Sequence, residues 1–279
     1  MMITAGNLFS YIIILILTRI SINQSLLLVG VVISSIPVVV FIVASVISFN
    51  TRYKKIKPSI KFIDFKVSNG ILDLGVKFLI SQIAYIILIT TSNFFIAQFY
   101  GPAEVTVYNI AFKYFQLPVM IYSILLSPIW SAVTDAYVRT DFQWIKKTVK
   151  IFNLLSVVFA IGIVLMIVIS NWMYKIWIGD KIIIPIHLSI AIGVNTIIQI
   201  FLLPYSAFIN GMGKLNLTVL ISFFEVIIYL LLVFIFANYF TSSVGIVLAI
   251  AMTTLLSGFV QPLQTHKLLN KTAKGIWNK

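Results

Sequence analysis

Long apolar runs separated by short polar clusters dominate this chain. They fall near residues 2–20, 26–48, 69–98, 104–136, 149–170, 183–209, 215–237 and 243–265. A helix needs ~20 mostly apolar residues to cross ~30 Å of hydrocarbon, and these runs have that length. None shows the alternation of a barrel strand, and backbone polar groups in lipid must be satisfied within the segment, so the runs read as helices. The pattern predicts an all-α polytopic membrane protein with about eight transmembrane helices. The first run is the shortest, reaching spanning length only by including Met1 and Met2. Pro37, Pro118, Pro128, Pro185, Pro204 and Pro262 fall inside or at the ends of runs, where neighbouring helices or water satisfy freed carbonyls.

Composition sharpens the exclusions. The 279 residues are 61% hydrophobic and 10% charged, against ~45–50% and ~25% in soluble domains. Eight spans leave only short connections, so a large extramembrane domain does not fit. Without cysteine there is no disulfide framework or thiolate nucleophile, and His187 and His266 make no zinc motif. No metal, cofactor or catalytic residue is expected. The run Leu8–Leu17 follows no basic residue, which argues against a secretory signal.

The formal charge of +13 has a topological source. Alternate loops hold Arg52, Lys54, Lys55, Lys57, Lys61 and Lys66, then Arg139, Lys146, Lys147 and Lys150, then Lys214, Lys267, Lys271, Lys274 and Lys279. The opposite loops hold only Arg19, Lys175 and Lys181. This bias puts both termini in the cytoplasm and removes nucleic acid as a partner. Asp141 to Lys150 reads as a basic amphipathic stretch on the inner membrane surface. Trp130, Trp144, Trp172, Trp177, Tyr100 and Tyr174 read as an interfacial aromatic belt.

Polar residues inside the runs are not scattered. On the fourth run Asn109, Lys113, Gln116, Met120, Ser123, Ser127, Ser131 and Thr134 recur at steps of three and four, holding one face through the bilayer. The third carries Asp73, Lys77, Ser81 and Tyr85; the sixth, Asn195, Gln199, Ser206 and Asn210. The seventh aligns Thr218, Ser222, Glu225 and Tyr229, and the eighth Thr254, Ser257, Gly258 and Gln261. The fifth is nearly all apolar and is expected to face lipid. Ser, Thr and Gly are also ordinary packing residues between membrane helices. Lys113 and Glu225 fit that use poorly: both are expected near the midplane, where an unpaired charge costs at least ~2.5–3.5 kcal/mol. A shared water-filled cavity removes the cost. Asp73 and Lys77, spaced i, i+4 near a helix end, also suit a snorkelling ion pair.

The run Asn93-Phe94-Phe95-Ile96-Ala97-Gln98-Phe99-Tyr100-Gly101-Pro102-Ala103-Glu104-Val105, leading into Tyr108–Phe115, resembles the seventh-to-eighth helix junction of the polysaccharide repeat-unit flippases, the O-antigen exporter branch of the MATE-like superfamily. Ser127–Ala132, Asp135–Tyr137, Asp141–Lys147, Asn171-Trp172, Ile176–Asp180 and Phe208–Lys214 are similar to later stretches of that family. The resemblance covers residues 50–279 and implies two six-helix lobes that alternate between inward- and outward-open states. It implies transport of undecaprenyl-diphosphate-linked oligosaccharide across the inner membrane, with the glycan in a polar lumen and the tail in the bilayer. Such proteins have about twelve or more helices. The eight here then correspond to the last two of the first lobe (1–48), a basic cytoplasmic linker (49–68) and a complete second lobe (69–279). A C-terminal part, through truncation or a misplaced start, is expected, and such a part is not expected to transport alone.

On this reading the lumen residues that bind substrate are Lys77, Asn109, Lys113, Gln116, Ser127, Asn195, Gln199 and Gln261. Lys113, helped by Lys77, attracts the diphosphate, and Glu225 with Asp73 couples transport to protons or sodium. Membrane lipids, lipid-linked oligosaccharide and other polysaccharide-assembly proteins are the expected partners. A MATE-type drug antiporter is the first rival, though it needs a more anionic cavity. A membrane glycosyltransferase needs paired carboxylates that no Asp-x-Asp supplies, and a polymerase needs a larger external loop than Asn171–Ile182. A non-catalytic assembly subunit is the remaining alternative.

Overall fold

The computed structural model describes residues 2–20, 26–59 and 65–278, the side chains of 2–3, 18–20, 26–28, 65–69 and 71 excepted. Eight α-helices occur among them: α1 Met2–Ile20, α2 Leu26–Asn50, α3 Phe65–Tyr100, α4 Pro102–Val138, α5 Phe142–Ile178, α6 Ile186–Met212, α7 Asn216–Tyr239 and α8 Val244–Leu269. Short 3-10 turns cover Lys54–Ile56 and Gly275–Asn278. No strand occurs among the described residues. Seven helices are long and apolar enough to span a bilayer, so this is an all-α, multi-pass membrane protein. The apolar stretch of α1, Thr4–Leu17, is shorter, as the sequence pattern indicates for the first run.

The chain divides into residues 1–67 and 68–279. In the first unit α1 and α2 form a hairpin whose close approach depends on Gly6: a Cβ there would lie 2.7 Å from the Pro37 Cα. Small residues at such crossings let membrane helices meet backbone to backbone. The expected linker, 49–68, lies partly outside the described residues, Lys61 included.

In the second unit α6 is central, packing against α4, α5 and α8, and α7 packs on α8. Side chains join α3 to both neighbours: Asn109 Nδ2 donates to Asn93 Oδ1 at 3.0 Å toward α4, and Ser92 Oγ lies 2.8 Å from the Tyr229 hydroxyl of α7. Helices α3, α4, α6, α8 and α7 therefore close a ring. α5 packs outside it, and Val158, Ile161, Leu165 and Val168 on its outer face are exposed. The helices with polar stripes are the ring members, and the apolar helix is the outlier. Glycines make the tightest contacts: a Cβ on Gly193 would meet Ile167 at 2.5 Å, and one on Gly211 would meet Val133 at 2.8 Å.

α4 and α5 each run for 37 residues, ~55 Å, well beyond the hydrocarbon thickness. The stretch Asp141–Lys150 forms the capped start of α5, continuous with the spanning part of that helix. The Asp141 side chain accepts from the Trp144 N–H at 3.0 Å, Ile145 is fully buried, and no Gly or Pro breaks the helix before Gly162. α6 ends at Gly213, whose φ of 68° closes the helix in the left-handed region that favours glycine.

Candidate functional site

Two polar systems emerge in the six-helix unit. The first is internal. On α6, Ser206 turns toward α8, where its Oγ donates to Gln261 Oε1 at 2.7 Å. Asn195 and Gln261 are buried and Gln199 is half-buried. Glu225 of α7 is half-buried, and its carboxylate accepts a hydrogen bond from the Ser257 hydroxyl of α8. One turn on, Tyr229 is fully buried and tied to Ser92 and Thr91 of α3, with Tyr108 and Tyr85 nearby. Ser222 and Ser257 are buried as well. The stripes of α6, α7 and α8 thus converge, as one face per helix requires. The Asn195 Oδ1 and Thr218 Oγ1 atoms are buried without a hydrogen-bond partner in the protein.

The second system lies on the surface of the unit. On α4 the face formed by Ala111, Phe115, Tyr122 and Val133 is buried. Tyr122 anchors it, donating to the Phe152 carbonyl at 3.0 Å, with its hydroxyl 2.8 Å from Ser156 Oγ. The opposite face carries Lys113, Met120, Ser123, Ser127 and Ser131, all exposed, and the half-buried Gln116. Ser123 Oγ donates to the Val119 carbonyl at 2.8 Å and Ser131 Oγ to the Pro128 carbonyl at 3.1 Å. Their donors are satisfied within the helix while their lone pairs stay free to accept. From Lys113 to Ser131 the row runs ~27 Å along the helix axis, most of the bilayer.

The two charges expected to share one cavity do not meet. Glu225 faces α8, whereas Lys113 lines a pocket of about 280 Å3 with Tyr114, Leu117, Met173 and Trp177, between α4 and α5. The cause is geometric. Cβ atoms lean toward the helix N terminus, so Lys113 extends along α4 toward the C-terminal end of α5, where Trp177 lies beside the last residue, Ile178. Asp73 and Lys77 form an exposed ion pair at 2.5 Å, the snorkelling arrangement. Asn109 faces α3, and Thr134 Oγ1 donates to the Gly211 carbonyl at 2.8 Å, so both ends of the α4 stripe serve packing. In the expected belt Trp172 and Trp177 are exposed, but Tyr174 is buried, 3.1 Å from Ser189 Oγ, because its face of α5 packs on α6.

One positioning residue carries no sequence signal. Glu104 at the start of α4 accepts from Ser243 N–H at 3.0 Å and Ser243 Oγ at 2.7 Å, capping α8 across 139 residues of chain. A carboxylate at a helix N terminus satisfies orphan N–H groups and opposes the helix dipole.

Stacked membrane helices, a buried polar interior and an exposed polar row define a multi-pass membrane protein of helical fold. The chain belongs to the polysaccharide biosynthesis protein family, whose model matches residues 4–183, well over half of the sequence. Neither a curated protein nor a solved structure matches it.

Proposed function

We propose that this protein takes part in flipping undecaprenyl-diphosphate-linked oligosaccharide repeat units across the bacterial inner membrane by alternating access, with both termini cytoplasmic. The observation that carries the reading is the exposed α4 row, Lys113 through Ser131, on a helix long enough to cross the bilayer. Against acyl chains an unpaired cation and free serine lone pairs gain nothing; against water and sugar hydroxyls every one of them finds partners. Membership of a polysaccharide biosynthesis family supports a glycan as the cargo. Gln116, Ser123, Ser127 and Ser131 would bind the glycan, and Lys113 the diphosphate.

Glu225 is assigned the coupling role. Its carboxylate meets Ser257 of α8, away from the row, where a proton or a sodium ion would change how α7 and α8 pack. Asp73 is a weaker candidate, because Lys77 already neutralises it at the surface. Asn195, Gln199 and Gln261, the last of which accepts from Ser206 of α6, are assigned to that interior rather than to cargo.

The test is made in the source cell with its native gene neighbourhood. S127W, which places an indole on the row, should lower surface polysaccharide and accumulate lipid-linked units on the cytoplasmic side, while S127A stays near wild type. Unchanged surface polysaccharide in S127W, with the variant present in the membrane at wild-type level, overturns the reading.

A further inference from the structure

We infer that the groove between α4 and α5 is the seat of the lipid carrier's own tail, with Lys113 at its junction with the glycan row; the inference rests on the transport reading above. The pocket of about 280 Å3 is walled by Leu117, Met173, Trp177 and the Tyr114 ring, and Lys113 is its charged residue. Tyr114 has its hydroxyl turned away, donating to the Met166 carbonyl at 3.2 Å, so the ring presents an apolar wall. Among the described residues Lys113 has no carboxylate partner, unlike Lys77, Arg139 and Lys175.

Lys113 stands where two surfaces adjoin, the hydroxyl-bearing row of α4 from Gln116 to Ser131 and the apolar groove that Tyr114 and Leu117 form with Met173 and Trp177 of α5. A polyprenyl-diphosphate glycan likewise carries its charge between sugar hydroxyls and an alkyl chain. An ammonium beside apolar walls sits in low dielectric, where a phosphate partner is worth far more than in water. The walls would take a short stretch of the alkyl chain out of contact with neighbouring lipid without presenting it an unsatisfied polar group. The side chains of Leu117 and Met173 decide whether the tail fits, since both are flexible and of middle size.

The full chain, purified in detergent, is tested by native mass spectrometry with three probes: undecaprenyl diphosphate without sugar, undecaprenol, and phosphatidylglycerol. Wild-type protein should retain the diphosphate about tenfold better than either of the other two. L117W and M173W, which fill the groove, and K113Q, which removes the charge, should each lose that retention, and K113R should keep it. Equal thermal unfolding of two of these variants and wild type excludes misfolding as the cause. Wild-type retention in both groove-filled variants overturns the inference. So does equal retention of phosphatidylglycerol, which would make the groove a general phospholipid site. The binding measurement involves no transport: groove-dependent binding in a protein whose S127W variant still exports normally would sink the transport reading and leave the groove standing.

Discussion

Ser92 of α3 and Tyr229 of α7 share a hydrogen bond of 2.8 Å at a point where both are fully buried, 137 residues apart in the chain. It is the polar link that closes the helix ring, and the Phe95 ring packs edge-on against the Tyr229 ring with centroids 6.4 Å apart. Hydrogen bonds between membrane helices average ~0.6 kcal/mol and reach ~1.7 kcal/mol. Y229F is therefore expected to cost an amount in that range. S92A should cost a similar amount, and the double variant little more than either one. Thermal unfolding in detergent measures it; fully additive losses would show that the two hydroxyls act separately.

The contact of α4 with α6 depends on Gly211, where an added Cβ would lie 2.8 Å from Val133 Cγ1 and 3.0 Å from the Trp130 carbonyl. Since the backbone atom cannot step aside, G211A should destabilise by about 1–3 kcal/mol. Gly162 of α5 has open space around it, so G162A should be neutral or stabilising by up to ~1 kcal/mol. The same unfolding assay separates them. Equal effects would mean that helix propensity, not packing, governs both sites.

Glu104 holds the start of α8 through two bonds to Ser243. E104A should cost about 1–2 kcal/mol, and E104Q, which keeps an acceptor oxygen, about half of that. Faster amide exchange at residues 243–247 in E104A is the local readout. Protection there equal to wild type would show that α8 needs no cap from α4.

By contrast, the exposed pair Asp73–Lys77 should matter little to stability. Neutralising both residues in a D73N/K77Q variant is expected to shift unfolding by less than ~0.5 kcal/mol. A larger loss would indicate that the pair is desolvated in the membrane-embedded protein.

The helices were legible in the sequence because hydrophobic run length depends only on neighbours along the chain. The outlying position of α5 followed from its lack of a polar stripe. Helix length was less legible: nothing in the hydropathy of Asp141–Lys150 shows that it continues unbroken into the spanning part of α5, one helix that starts at the Asp141 cap. Partner choice was not legible at all. That Glu104 would cap α8, or that Lys113 would lean into the groove beside Trp177 rather than share a cavity with Glu225, depends on residues brought together from across the fold. Periodicity says that a face is polar; only the packing of the other helices says what that face meets.

The central claim is that the α4 row meets water. The absence of native cysteine makes the measurement clean, since a single introduced thiol reports alone. Cysteines at Ser123, Ser127 and Ser131, with Val158 and Leu165 of α5 as lipid-facing controls, are treated in intact membranes with a charged maleimide. The account predicts rapid labelling at 123, 127 and 131 and slow labelling at 158 and 165. Labelling at the three row positions as slow as at the two controls would place the row against acyl chains or tight protein packing and contradict it.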